Sequence, residues 1–139
     1  MKPGAAIDRV MRGVGEDVRG YRELCELLET QFAAAMAHDG PQLEELAARI
    51  TGRVDALEAR RAERVRLVHE LFGAHARMAT VIESLGGARR QMLDAGWQSL
   101  EALVRRCKQL NERNCQLLVT QHDIMRRVLH GDAETYAPA

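Results

Sequence analysis

The stretch Arg105–Leu129, RRCKQLNERNCQLLVTQHDIMRRVL, decides the fold. Apolar residues recur in it three and four positions apart, the pattern of an amphipathic α-helix. At 100° per residue one stripe runs Leu103, Cys107, Leu110, Asn114, Leu117, Gln121, Ile124 and Val128. A second lies beside it: Leu100, Val104, Asn111, Leu118, Met125 and Leu129. Together they span about 160°, wider than the roughly 100° that one core-facing stripe requires. Either two neighbouring helices cover this arc or part of it is left for another chain. Two amides, Asn111 and Asn114, stand where apolar residues are expected. An amide in a seam lowers stability but fixes register, because its hydrogen bonds demand a particular partner. Register is the role expected of Asn111, at the edge of the arc, while Asn114 is open between the chain's own helices and a partner.

Working outward, the helix is predicted from Ala88 to His130, roughly 65 Å at 1.5 Å per residue, with Gly131 ending it. That exceeds the ~30 Å of a compact small domain, so the molecule is expected to be elongated. The N-terminal segment carries a heptad seam of Ile7, Met11, Val14, Val18, Tyr21, Cys25, Leu28, Phe32 and Ala35. Gly4, Gly13, Gly15 and Gly20 each lower helix propensity by about 1 kcal/mol, so residues 1–18 are expected to fray. Asp39 and Gly40 then suit a turn, and Pro41 fits the first position of a second helix. Its seam runs through Leu43, Ala47, Ile50, Val54 and Leu57, is broken by Arg61 and Arg64, and resumes at Val68 and Leu71. Charge runs usually belong to exposed faces, so the two arginines are expected to be solvated. Met78, Ile82 and Leu85 mark a short helix between glycine joints, and no alternating strand pattern occurs. The expectation is an all-α, elongated antiparallel bundle or coiled coil of about three long helices plus a short connecting helix. It forms one domain over residues 1–139, with 131–139 as a mobile tail.

Composition narrows the function by exclusion. The 20 basic and 20 acidic residues cancel overall, but residues 1–58 hold 7 basic against 11 acidic and residues 86–130 hold 8 against 4. This gradient predicts pairing between the two ends of the chain at least as well as an external anionic partner. The arginines Arg60, Arg61, Arg64 and Arg66 have little aromatic support, so no nucleic-acid partner is expected. No apolar run approaches the ~18 residues of a membrane span and no secretory h-region is present, which points to the cytoplasm and against membrane insertion. Cys25, Cys107 and Cys115 are odd in number and widely spaced, and all three are read as small buried hydrophobes. No Glu-x-x-His pair, H-E-x-x-H, C-x-x-C or phosphate-binding glycine loop occurs. No catalytic, metal or cofactor residue is therefore expected, and the chain is read as a non-enzyme.

The C-terminal helix is longer than either partner helix can cover and should overrun them. An overrun bearing Leu117, Leu118, Ile124, Met125, Val128 and Leu129 leaves an apolar patch for another chain to meet. The candidate partner-binding residues are accordingly Asn114, Leu117, Leu118, Gln121, Ile124, Met125, Val128 and Leu129. A structural coiled coil that uses the same arc to build a homodimer is the competing reading.

The run GWQSLEALVRRCKQLNERNCQLLVTQ resembles the C-terminal signature of the FlgN-type flagellar export chaperones, in which a tryptophan precedes a Leu-Asn-x-x-Asn-Gly-x-Leu-Leu motif on the last long helix. Trp97, Leu110, Asn111, Asn114, Leu117 and Leu118 occupy those places, and Tyr136 in GDAETY stands where the family has a tyrosine. Looser similarity reaches back through ELLETQFAAAMAHDGPQLEELAARI, so the resemblance covers roughly residues 18–138. One departure is Cys115, where the family pattern usually has glycine. The resemblance implies a cytoplasmic, cofactor-free chaperone that holds hook-associated junction proteins on its C-terminal helix. It also implies delivery to the flagellar export apparatus, with Tyr136 taking part in docking at the export gate.

Overall fold

The computed structural model describes the backbone of residues 2–136 and the side chains of residues 2–130. The elements are α1 (Pro3–Met36), α2 (Gly40–Phe72), α3 (Met78–Ser84) and α4 (Gly87–Tyr136), with no strand among the described residues. The all-α expectation holds, with three long helices and one short one. Two boundaries differ from it. Helix α1 is continuous from Pro3, so the N-terminal glycines do not break it. Helix α4 passes through Gly131 to Tyr136, because a glycine lowers helix propensity without forbidding a helix.

The chain runs up, down and up, so α1 and α4 are parallel. Cross-helix bonds join Asp8 to Arg89, Cys25 to Cys107, Leu28 to Asn114 and Ala35 to Gln121, a separation in sequence that stays between 81 and 86 along the pair. Helix α2 returns antiparallel to α1, pairing Arg53 with Glu23, Arg60 with Asp17 and Glu63 with Arg9. Helices α2 and α4 both pack along α1, and meet each other through long side chains such as Arg64 and Trp97. Being flanked on two sides, α1 buries more than a single seam. Its buried residues include Ala6, Val10, Val14, Asp17, Leu24, Leu28, Ala34 and Ala35, while Ile7, Met11, Val18 and Tyr21 of the predicted seam are half-buried. On α2 the inner positions are Leu46 and Leu57 with Leu43 and Ile50 beside them, and Ala47 and Val54 face outward.

The two ends of the bundle are closed differently. At the start of α1, helix α3 lays Met78, Val81 and Ile82 over Val10, Val14, Leu67 and Leu93. At the other end α1 stops in a tight hairpin. His38 adopts φ 54°, and the amides of His38 and Asp39 donate to the carbonyls of Ala35 and Ala34. This is the left-handed helix stop usually made by glycine, and His38 makes it through its backbone. Asp39 then caps α2 by accepting from the amide of Gln42, with Pro41 in the first turn as predicted.

The charge gradient is spent inside the molecule. Asp8 pairs with Arg89, and Glu29 meets both Arg106 and Arg113. The seam break on α2 is corrected in part. Arg61 is exposed, but Arg64 is nearly buried, bonded to Asp17 and stacked 5.3 Å from the Trp97 ring.

The α1 glycines divide by what surrounds them. A Cβ at Gly20 would lie 2.9 Å from the buried Leu57, so the close crossing of α1 and α2 depends on its absence, whereas a Cβ at Gly13 meets nothing within 4 Å. Gly20→Val is expected to destabilise by about 2 kcal/mol through overpacking. Gly13→Ala is expected to stabilise by about 0.5–1 kcal/mol by restricting the unfolded chain and favouring the helix. Urea unfolding midpoints at unchanged slope measure both.

Candidate partner-binding face

The relevant surface begins where α4 parts from α1. Three polar latches hold the last shared turns. Asn114, 1% exposed, donates from Nδ2 to the Leu28 carbonyl at 2.7 Å and to Gln31 Oε1 at 2.8 Å. Its Oδ1 accepts from Nε and Nη2 of Arg113 at 3.2 Å each, so the amide has no capacity left for another chain. Arg113 also lies 3.9 Å over the Phe32 ring and reaches Glu29. One turn beyond Leu117, Gln121 Nε2 donates to the Ala35 carbonyl at 2.9 Å, which places it on the closing turn of α1.

These contacts settle the two asparagines and reverse the expectation for Asn111. Asn114 is the register amide, whereas Asn111 is exposed and accepts only a long contact from Cys115. The register is written in α1 carbonyls, which explains why a lone amide tolerates burial here. Asn114→Ala is expected to cost about 1–3 kcal/mol, since Gln31 and the Leu28 carbonyl lose a donor. Asn111→Ala should change stability by less than about 0.5 kcal/mol. Thermal unfolding of the two single variants makes the comparison.

Among the described residues, helix α4 has no neighbour beyond Gln121. With α1 ending at Met36, about 15 residues of α4 project past the hairpin, roughly 22 Å of helix. Leu117 and Leu118 are half-buried at the root of this projection. Ile124, Met125, Val128 and Leu129 are each more than half exposed. On a helical wheel they continue the stripe that Cys107, Leu110 and Asn114 bury against α1, within an arc of about 140°. Arg126, Arg127, Asp123 and His130 lie outside that arc. The same face is therefore core upstream and bare downstream. Of the eight residues picked out from the sequence, six form this bare or half-bare stripe. Asn114 and Gln121 instead serve as latches to α1, and Tyr136 has its side chain outside the described residues. Phe32, which helps fix the root, lies on the predicted α1 seam, whereas Gln31 and Arg113 carry no signal in the sequence that distinguishes them from ordinary helix residues.

The arginine run on α2 is paired with carboxylates of the chain itself. Arg60 and Arg64 are bound to Asp17, Arg66 to Glu70, and Arg61 leans on Glu58. No three potential metal ligands come together, and no helix is long and apolar enough to cross a membrane, among the described residues. Cys115 is exposed, contrary to the expectation that all three cysteines are buried.

Compared with models of known protein families, residues 1–130 match the one described as FlgN protein. No curated protein and no solved structure matches the chain.

Proposed function

The chain belongs to the FlgN family of flagellar export chaperones, and from that premise we propose that it captures hook-associated junction proteins in the cytoplasm on the bare stripe of α4 and delivers them to the flagellar export apparatus. The observation that carries this reading is the loss of α1 beneath a stripe that does not change character. Upstream of Gln121 the stripe is covered by the chain's own helix, and Ile124, Met125, Val128 and Leu129 continue it uncovered. An amphipathic segment of the cargo would take the place that α1 vacates, in helix-to-helix packing.

The size of the stripe suits a carrier. Four large apolar side chains contribute about 6–12 kcal/mol on burial, against an association cost of roughly 4–15 kcal/mol. The surplus is at most about 8 kcal/mol, so these four side chains support a complex that is micromolar at its tightest, one that still releases its cargo. The half-buried Leu117 and Leu118 give the cargo a fixed starting point at the end of α1.

The direct test is capture of junction proteins from the source organism by the purified chain, with the size of the free protein measured alongside. Capture by a chain whose stripe is accessible supports the proposal. A tight homodimer that buries Met125 and Leu129 and takes up no junction protein would replace it with the structural coiled-coil reading. Tyr136 is proposed as the contact to the export gate. Tyr136→Ala is expected to leave cargo affinity within about twofold while lowering export of the junction proteins; equal loss of both would contradict that division.

A further inference from the structure

Cys25 on α1 and Cys107 on α4 are 82 residues apart in sequence, and their sulfurs meet at 2.8 Å inside the core formed by Leu24, Leu28, Leu57 and Leu110. Each thiol is enclosed by helices whose register is already fixed by Asn114 and Gln121, so the encounter is built into the fold. Cys115, the third cysteine, lies on the exposed side of α4 and is not part of the pair. We propose that Cys25 and Cys107 are a modification site: a dithiol that oxidises to an intramolecular disulfide and locks α1 to α4.

Little movement is required. A disulfide has its sulfurs ~2.03–2.05 Å apart, so they must approach by about 0.8 Å, within reach of side-chain rotation. The oxidant is a small-molecule disulfide. The thiolate of one cysteine attacks it, expelling one small thiolate and leaving a mixed disulfide on the protein. The second cysteine then attacks the protein sulfur of that mixed disulfide and expels the other small thiolate. Two electrons and two protons leave the dithiol, and two small thiols are produced. Burial, together with the hydrogen bond to Cys25, raises the Cys107 pKa well above that of a free thiol, so in the closed bundle Cys107 holds its proton. Reaction therefore waits on transient separation of α4 from α1 and is slow.

The bond would close a loop of more than 80 residues, and long loops gain most from closure. The test uses the full chain carrying Cys115→Ser, incubated with oxidised glutathione under native conditions. The expected product is a monomer lighter by ~2 Da, with Cys25 and Cys107 in one linked peptide pair and a melting temperature raised by about 10 °C. The shift should vanish on reduction and be missing from the Cys25→Ser, Cys115→Ser double variant. Two free thiols after denaturation of the treated protein, glutathione adducts that never resolve into the linked pair, or an equal shift in the double variant would each overturn the proposal.

Discussion

Met125→Glu and Leu129→Glu together are expected to weaken capture of the junction proteins by at least about 100-fold and to leave helix content unchanged. Both side chains are more than half exposed in the free chain, so the folded state loses no packing. Glu is also about as good a helix former as Met or Leu. In the complex the two residues would be covered. Removing about 1.5–3 kcal/mol of apolar burial at each corresponds to roughly 10²–10⁴ in affinity, before the cost of desolvating two carboxylates. Val119 supplies the control, since it is 59% exposed but lies on the opposite side of the helix. Val119→Glu should leave affinity within about twofold. Calorimetric titration of the purified cargo separates the outcomes. If Val119→Glu is as damaging as the double substitution, binding is not confined to the stripe; if neither matters, the site lies elsewhere.

Asp17→Ala should produce the largest loss of stability of any single substitution considered, about 3–5 kcal/mol. The Asp17 carboxylate is 2% exposed and is gripped by Arg60 Nε at 2.6 Å and Arg64 Nη1 at 2.5 Å. Arg60 is one-third exposed and can turn to water when its partner is lost. Arg64 is 12% exposed and held over Trp97, so its charge stays in the core unpaired, and that residual charge dominates the cost. Replacing the pair, Asp17→Leu with Arg64→Met, should recover most of the stability, because buried ion pairs gain little over apolar residues of similar volume. Urea unfolding of the single and double variants decides it. A double variant as unstable as Asp17→Ala would mean that the ion pair itself, rather than the orphaned charge, carries the stability. The exposed pair Arg66–Glu70 should contribute less than about 1 kcal/mol in the same assay.

Asp17 also shows where sequence reading fails on this chain. It occupies no apolar heptad position, and Arg64 looks like one of several solvated arginines. Only the antiparallel alignment of α1 and α2 brings carboxylate and guanidinium to the same level, converting an apparent break in the seam into a core interaction. The cysteines follow the same rule. Cys25 and Cys107 are separated by most of the chain, and their encounter depends on the parallel register of α1 and α4. The glycines fail in the other direction, since an isolated penalty of about 1 kcal/mol each is outweighed once α1 is packed on two sides. By contrast, the bare stripe was legible because it depends only on helix period and length. A helix of this length overruns two helices of 34 and 33 residues wherever they pack.

The sequence by itself determined that this protein is all helix, that the hairpin turns at Asp39 and Gly40, and that α4 carries an apolar arc longer than the chain can cover. These are local properties: a 3.6-residue period, turn chemistry and the count of residues between turns fix them without reference to distant neighbours. Tertiary structure decided which amide is a latch and which is surface, that Asn114 and Gln121 bond to carbonyls of α1, and where Asp17 and the paired cysteines meet their partners. Hydrogen bonds and charges act over a few ångströms, so their partners are set by the register between helices, and register is a property of the packed bundle.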